Sequence, residues 1–464
     1  MWLQKQQLLL AFYGDDFTGS TDALEFMSRA GARTVLFIEP PSLAQIALYE
    51  GVQAIGVAGL SRSLSPDEMD RQLRPAFEAL LKLQPRHIHY KVCSTFDSSS
   101  TIGSIGKAME IGAEVFDSEW IPLLVAAPAL GRYCTFGNLF ARMGIGSQGQ
   151  IHRLDRHPSM RLHPVTPATE SDLRLHLEKQ TNRKTGLLDI LQIVKPDAKQ
   201  MLQGLVKEGF ENILIDALYE DQMPKIGELI DESRVEEKPL FSVGSSGIEM
   251  ALGNYWQNQG LLTERKSWEE VQNELPILVL SGSCSPVSAQ QIAWAETHGF
   301  ASIDVDTSAV AAQPNEISVL QKTIDQAIEK LAAGQSVIVQ TSSQTTDPRI
   351  DRANRIFESQ GYTQAQIRTL TGQVFGKALG TIAKEITKKV EINRIVVAGG
   401  DTSSYAARAM GIEAVEMLAP LTPGAPICLA HAPNSPVDKK QIIFKGGQVG
   451  AENYYGLVNA GRDL

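Results

Sequence analysis

Short apolar runs recur along the chain, and each stops at glycine, hydroxyl or charged residues before a helical pattern begins. Up to about residue 245 the runs are LLLAFYG, RTVLFIE, QAIGVAG, HIHYKVC, IPLLVAA, NILIDA and PLFSVG. Strands that are apolar almost throughout are buried on both faces, so this alternation predicts a parallel sheet covered by helices on either side. A polar, weakly periodic stretch follows, GNYWQNQGLLTERKSWEEVQNELP, and then a second series: LPILVLSG, FASIDVD, QSVIVQTSS, NRIVVAGG and AVEML. The expected fold class is therefore α/β, with two α/β domains at 1–254 and 276–464, a connector at 255–275 and a ligand cleft between the domains. Each domain is expected to hold a largely parallel sheet flanked by helices.

Helix punctuation supports the same outline. In DFTGSTDALEFMSRAG, Thr18 or Ser20 suits the N-cap, Ala23, Leu24, Phe26, Met27 and Ala30 form an apolar face, and Gly31 suits the closing position. In LSGSCSPVSAQQIAWAETHGF, Ser285 and Pro286 suit the N-cap and first helical position, and Gly299 the far end.

Composition narrows the function classes. A chain of 464 residues exceeds what one core usually organises, which favours two domains. The formal net charge of −10 argues against a broad nucleic-acid surface while leaving room for a small basic pocket that takes an anion. No apolar segment is long enough to span a bilayer. The first run passes into Asp15 and Asp16 without a small-residue cleavage site, so it reads as a strand rather than a signal. Cys93, Cys134, Cys284 and Cys428 form no CxxC pair, which fits a reducing cytoplasm. A homo-oligomer is compatible with all of this.

Ligands of open α/β sheets bind beyond the carboxyl ends of the strands, so the residues delivered there matter most. In the first domain they are Asp15 and Asp16; Ser61 and Arg62; Lys91, Cys93, Ser94, Thr95 and Asp97; and Gly131 and Arg132. Adjacent carboxylates at a buried strand end repel and lose hydration unless a cation, donors or a polyhydroxy ligand compensates. Together these groups suit a small, anionic, hydroxylated molecule: cations would hold its carboxylate and aspartate its hydroxyls. Asp16 also suits the N-cap of the following helix.

In the second domain, LSGSCSPVS and IVVAGGDTSS pass from strand to glycines and hydroxyl residues at a helix start, where backbone N–H groups and the helix dipole favour phosphate. Ser281, Ser283, Thr402 and Ser403 add donors, Gly399 and Gly400 permit close backbone approach, and KGGQVG contributes Lys445, Gly446, Gly447 and Gly450. Asp401 beside a phosphate calls for an intervening Mg²⁺ or a hydroxyl proton to accept; capping its own helix is the structural alternative. His87, His89, His152, His157 and His163 have no HExxH or CxxC companion and are expected to pack or hydrogen-bond in place rather than bind zinc.

Taken in order, DDFTGSTDA, KVCSTFDSS, DRHPSMRLHPVTPATESDLRLHL, LSGSCSPVSAQQI, GGDTSSYAA and KGGQVGAENYYG resemble the four-carbon acid sugar kinase family through nearly the whole chain. The resemblance implies a sugar-acid-binding amino-terminal domain, a nucleotide-binding carboxyl-terminal domain, and ATP-dependent phosphorylation of a terminal hydroxyl on a short sugar acid, with Mg²⁺ accompanying ATP. By position it implies Asp16, Arg62, Lys91, Cys93, Ser94 and Thr95 on the substrate side, and Ser283, Gly400, Asp401, Thr402, Ser403 and Gly447 around ATP. Where some members carry a KIDSTLRG-like sequence this chain has KVCSTFDSS, so Phe96 and Asp97 alter the substrate side; Asn138 in GNLFAR is another such position. Erythronate, threonate, a 3-oxo-tetronate or a branched oxoisoapionate would all suit. Asp16 is the first expected proton acceptor, with Asp401 as its competitor or as a Mg²⁺ partner. The rival classes are a non-catalytic sugar-acid or nucleotide sensor and an aspartate-dependent phosphatase; the phosphatase ranks lower, because Asp15 and Asp16 are adjacent rather than spaced as in DxDxT.

Overall fold

The computed structural model describes residues 8–143, 149–163, 165–235, 238–268, 270–344 and 346–461. Residues 1–7, Pro164 and Glu269, which fall in stretches read above, lie outside the described residues. The chain forms two compact units, Met1–Lys266 and Ser267–Leu464.

The strands of the first unit are β1 (Leu10–Gly14), β2 (Thr34–Phe37), β3 (Ala54–Ala58), β4 (His87–Lys91), β5 (Ile121–Leu124), β6 (Arg132–Thr135), β7 (Asn138–Arg142), β8 (Ile151–Arg153), β9 (Thr185–Leu188), β10 (Asn212–Ile215) and β11 (Leu240–Gly244). Eight of them lie side by side in the order β2-β3-β1-β4-β11-β5-β10-β9, every pair parallel. β1, β3, β4 and β11 are buried at every position, as strands covered on both faces must be. β6, β7 and β8 form a separate antiparallel sheet that the apolar runs do not reveal. β6 and β7 alternate buried and half-buried positions and β8 buries none, so they carry no continuous apolar run.

The first helix, Phe17–Ala30, buries Phe17, Ala23, Leu24, Met27 and Ala30 and closes at Gly31 with φ +102°. Of the N-cap candidates Asp16, Thr18 and Ser20, the structure uses the first. Asp16 is the N-cap and accepts from the Gly19 N–H, while Thr18 and Ser20 lie inside the first turn and bond back to Asp16. A carboxylate one turn earlier outcompetes the hydroxyls for the open N–H groups. The helix Gly247–Asn258 carries Trp256, fully buried, into this unit's core, within the span expected to connect the domains.

The second unit contains β12 (Leu278–Ser281), β13 (Ala301–Asp304), β14 (Val337–Gln340), β15 (Arg394–Ala398), β16 (Ala414–Thr422), β17 (Ala425–His431) and β18 (Gln441–Lys445), in the order β13-β14-β12-β15-β18-β17-β16. The first five in that order are parallel. β17 runs antiparallel to both β16 and β18. This antiparallel hairpin departs from the expected series: AVEML continues to Thr422 and returns through Pro423 and Gly424, the latter at φ +80°, as a Pro-Gly turn permits. Ile277, Val279, Val396 and Ile443 pack against Ile292 and Ala295 of the helix Pro286–Thr297 and against Tyr454, Tyr455 and Leu457 of the helix Tyr454–Ala460. Burial of each such large side chain stabilises by about 1.5–3 kcal/mol. Ser285 caps the helix Pro286–Thr297, as its Ser-Pro start predicts.

Candidate functional site

Three neighbouring strands of the first unit, β3, β1 and β4, end together and deliver the groups picked out in the sequence. Beyond β1, Asp15 and Asp16 are buried, and both are held by one guanidinium. Arg62 donates from Nη2 to Asp15 Oδ1 at 2.8 Å, from Nε to Asp15 Oδ2 at 3.1 Å and from Nη1 to Asp16 Oδ2 at 2.7 Å. The two like charges are adjacent because a single planar cation can engage them both. Burial pushes the Asp15 carboxyl above its ordinary range, Arg62 counters that, and the neighbouring Asp16 adds to the rise.

Lys91, the last residue of β4, is buried and donates from Nζ to the Val92 carbonyl at 2.9 Å. It converges with Arg62 over Gly19, where a Cβ would stand 3.3 Å from Lys91 Nζ and 3.8 Å from Arg62 Nη2. Glycine at this position keeps the space beside both cations open. Ser94 and Thr95 are buried, and Cys93 Sγ lies 2.9 Å from Thr95 Oγ1. Burial and the nearby Asp97 push the Cys93 thiol up to about 11, so it remains protonated at neutral pH and is a polar wall rather than a nucleophile.

Arg132 enters from the start of β6. Only 6% exposed, it donates from Nη1 to the carbonyls of Leu130, Gly131 and Arg142, and its Nε has no hydrogen-bond partner among the described residues. Burial lowers its pKa, opposed by the carboxylates of Asp97 and Asp22. Asp97 Oδ1 is likewise buried without a partner. Asn138 accepts from Ser171 Oγ at 2.7 Å and donates to the Phe136 carbonyl, so it braces the small antiparallel sheet.

Two participants were not singled out in the sequence. Asp22, in the middle of the first helix, accepts through Oδ2 from Ser246 Oγ and lies 3.8 Å from Lys91 Nζ. Ser246 comes from the turn after β11, more than two hundred residues away in the chain. The histidines behave as expected: His87 bonds Asp231 at 2.8 Å, and His89 bonds Glu249 at 2.6 Å and the Gly244 carbonyl at 3.1 Å.

In the second unit, SGSCS, GGDTS and KGG follow β12, β15 and β18, which are neighbours. The structure thus gathers Ser281, Ser283, Gly400, Asp401, Thr402, Ser403, Gly446 and Gly447 at adjoining strand ends. Ser285 and Ser288, at the start of their helix, both donate to the Gly447 carbonyl, the latter at 3.1 Å. A Cβ on Gly282 would lie 2.1 Å from Thr402 Oγ1, and Gly399 has φ +125°, so these two turns require glycine to approach each other. Ser403 turns inward and donates to the Gly399 carbonyl at 2.7 Å. Asp401 is exposed in the first turn of the helix Gly400–Met410, and Cys284 is exposed between Ser283 and Ser285.

Ser281, Ala398 and Lys445 form one row across β12, β15 and β18, the last before the loops. Ser281 Oγ and Lys445 Nζ are both fully buried and have no hydrogen-bond partner among the described residues. Lys445 Nζ stands 5.5 Å from the centre of the Tyr454 ring. Burial alone drives its pKa down to about 7. An ammonium kept there without a carboxylate is poised for an anion from outside.

Residues 10–252 match the family model for a sugar-binding N-terminal domain, and residues 278–455 that for a nucleotide-binding C-terminal domain. A 3-oxo-isoapionate kinase of Paraburkholderia graminis is 40% identical over 456 residues, covering 98% of this chain and 95% of that protein. A 3-oxo-tetronate kinase of Salmonella typhimurium is 28% identical over 451 residues, covering 97% and 98%. The crystal structure of a Salmonella typhimurium LT2 protein described as a putative tRNA synthase has a TM-score of 0.74 at 25% identity, covering 97% of this chain and 99% of that one.

Proposed function

The chain belongs to the four-carbon acid sugar kinase family, and from that premise we propose that it transfers the γ-phosphoryl group of ATP to a terminal hydroxyl of a branched oxo sugar acid of the 3-oxo-isoapionate type. It is an ATP-dependent sugar-acid kinase. The observation that carries the assignment is the pairing of chemistries: cations and carboxylates for a hydroxylated acid at the strand ends of one unit, and glycines, hydroxyls and an uncompensated lysine for phosphate at those of the other. The branched acid is favoured by the 40% identity to a 3-oxo-isoapionate kinase, against 28% to the Salmonella 3-oxo-tetronate kinase.

Phosphoryl transfer asks a protein mainly to align acceptor and donor and to neutralise developing charge. On the acid side, Arg132 supplies a desolvated cation for the carboxylate, Lys91 a second positive centre, and Ser94, Thr95 and Asp97 contacts for hydroxyl or oxo groups. Arg62 and Asp16 act as a clamped pair that orients the turn. On the nucleotide side, Ser281, Ser283, Thr402 and the Gly446–Gly447 backbone surround the phosphates, with Lys445 beneath them. Among the described residues no group of three or more His, Cys, Asp or Glu could hold a metal. Mg²⁺ would therefore ride on the phosphates with Asp401 as its protein carboxylate, supplying charge neutralisation there.

A panel of 3-oxo-isoapionate, 3-oxo-tetronate, erythronate and threonate, assayed for ADP formation, tests the proposal. The highest kcat/KM is expected for 3-oxo-isoapionate. Equal or better turnover of a linear acid would overturn the substrate assignment, and binding of acid and ATP without ADP release would replace the kinase by a sensor.

A further inference from the structure

A kinase of this kind needs an acceptor for the proton of the attacking hydroxyl, and Asp16 is already engaged. Its Oδ1 accepts from the Gly19 N–H at 2.7 Å, and its Oδ2 from Thr18 Oγ1 at 2.9 Å and Arg62 Nη1 at 2.7 Å. Both oxygens of Asp15 are taken by Arg62. Glu249 bonds His89 through Oε1 at 2.6 Å and leaves Oε2 without a hydrogen-bond partner among the described residues, but its side chain is 0% exposed and out of reach of a substrate.

Asp22 differs from Glu249 in reach, its side chain being 13% exposed. Its Oδ2 is fixed by Ser246, which sets the plane of the carboxylate, while its Oδ1 is buried and has no hydrogen-bond partner among the described residues. Arg132 Nε and Asp97 Oδ1 share that condition; Arg132 pairs with Ala127, and the neighbouring Ala126 carbonyl lies against Gly247, next to the Ser246 that holds Asp22, while the charges of Asp22 and Asp97 both act on Arg132. Apart from the enclosed Glu249, the orphaned acceptors of Asp22 and Asp97 and the orphaned donor of Arg132 describe the complement of a hydroxylated anion: two hydroxyls to donate and one carboxylate oxygen to accept.

We propose that Asp22 is the catalytic residue that accepts the proton of the attacking hydroxyl, in a subsite where Arg132 takes the acid's carboxylate and Asp97 a second hydroxyl. This assignment rests on the sugar-acid kinase reading. As the hydroxyl oxygen forms its bond to the γ-phosphorus, its proton passes to Asp22 Oδ1. The bond from that phosphorus to the β–γ bridging oxygen breaks, ADP departs, and Asp22 then releases the proton to solvent.

The groups facing Asp22 are Lys91 from β4, Ser246 and Glu249 from the turn and helix after β11, Asp16 from the turn after β1, and Arg132. Burial raises its pKa, Glu249 and Asp16 add to the rise, and Lys91 and the Ser246 hydrogen bond oppose it. A carboxylate raised in this way is a stronger base than a solvated one.

Asp22→Asn and Ser246→Ala test the assignment. Asp22→Asn should lower kcat by about 100-fold or more, with acid KM within about threefold and ATP affinity unchanged by titration calorimetry. Ser246→Ala removes a donor that holds the Asp22 pKa down, so the acid limb of the kcat profile should move to higher pH. A purely structural Asp22 would leave that limb where it is. Turnover by Asp22→Asn within about fivefold of the parent, or an unmoved acid limb in Ser246→Ala, overturns the assignment while leaving the kinase reading intact. If Asp22→Asn fails to fold, the pH profile of Ser246→Ala decides alone. Absence of ADP formation with every acid in the unaltered protein would remove the kinase reading and this inference with it.

Discussion

Asp15 and Asp16 share one cation, and that sharing sets what happens when the cation is lost. Arg62→Met would leave two buried carboxylates without their shared cation, and at neutral pH should cost about 3–5 kcal/mol, readable as a fall in Tm. The pH dependence has a definite sign. Burial already raises the folded-state pKa of Asp15, and removing Arg62 raises it further. A carboxyl whose folded pKa lies above its unfolded value favours the folded chain increasingly as pH falls through the folded pKa. The deficit of Arg62→Met relative to the parent should therefore shrink between pH 7 and about 4. A deficit that grew on acidification would mean that Arg62 does not serve these carboxylates. Asp16 and Arg62 could be picked out in the sequence because they sit where strands end. Asp22 could not: at mid-helix it looks like any solvated polar position, and only the fold brings Ser246 and Lys91 against it.

At the level of the strand, Lys445 illustrates a conflict between stability and binding. Its folded pKa of about 7 is depressed, so the unfolded chain binds more protons up to the ordinary lysine value, and stability rises with pH across that interval. Lys445→Met should stabilise the ligand-free protein by about 1–4 kcal/mol, because a buried charge without a partner disappears. The same change should weaken ATP by about 10–100-fold, the loss of a charge-assisted contact to phosphate. Calorimetry at pH 8 in buffers of different ionisation enthalpy should detect proton uptake on ATP binding by the parent and none by Lys445→Met; equal uptake by both would exclude Lys445 as the group that recharges. Parallel strands such as β1, β3 and β15 were legible because burial on both faces makes them unbroken apolar runs. β6 and β7 were not, since one half-buried face interrupts every apolar pair, and the β16–β17 hairpin hid behind a strand that looked like the others until its Pro-Gly turn was placed.

Across the whole molecule, the two compact units take, on the proposed assignment, separate ligands. ATP at 100 times its Kd should add about 2.7 kcal/mol of stability, and by hydrogen exchange in the absence of acid the added protection should fall within residues 267–464. The sugar acid alone should instead protect the ends of β1, β3 and β4; protection by ATP centred there would reverse the division of labour. The Arg62 clamp has a bearing on how such a protein can diversify. Asp15, Asp16 and Arg62 stabilise one another so closely that altering any one alone is penalised, and a lineage acquiring a new acid would have to exchange them as a set or leave them alone. Novelty in substrate taste is then channelled to neighbours outside the triad, such as Asp97.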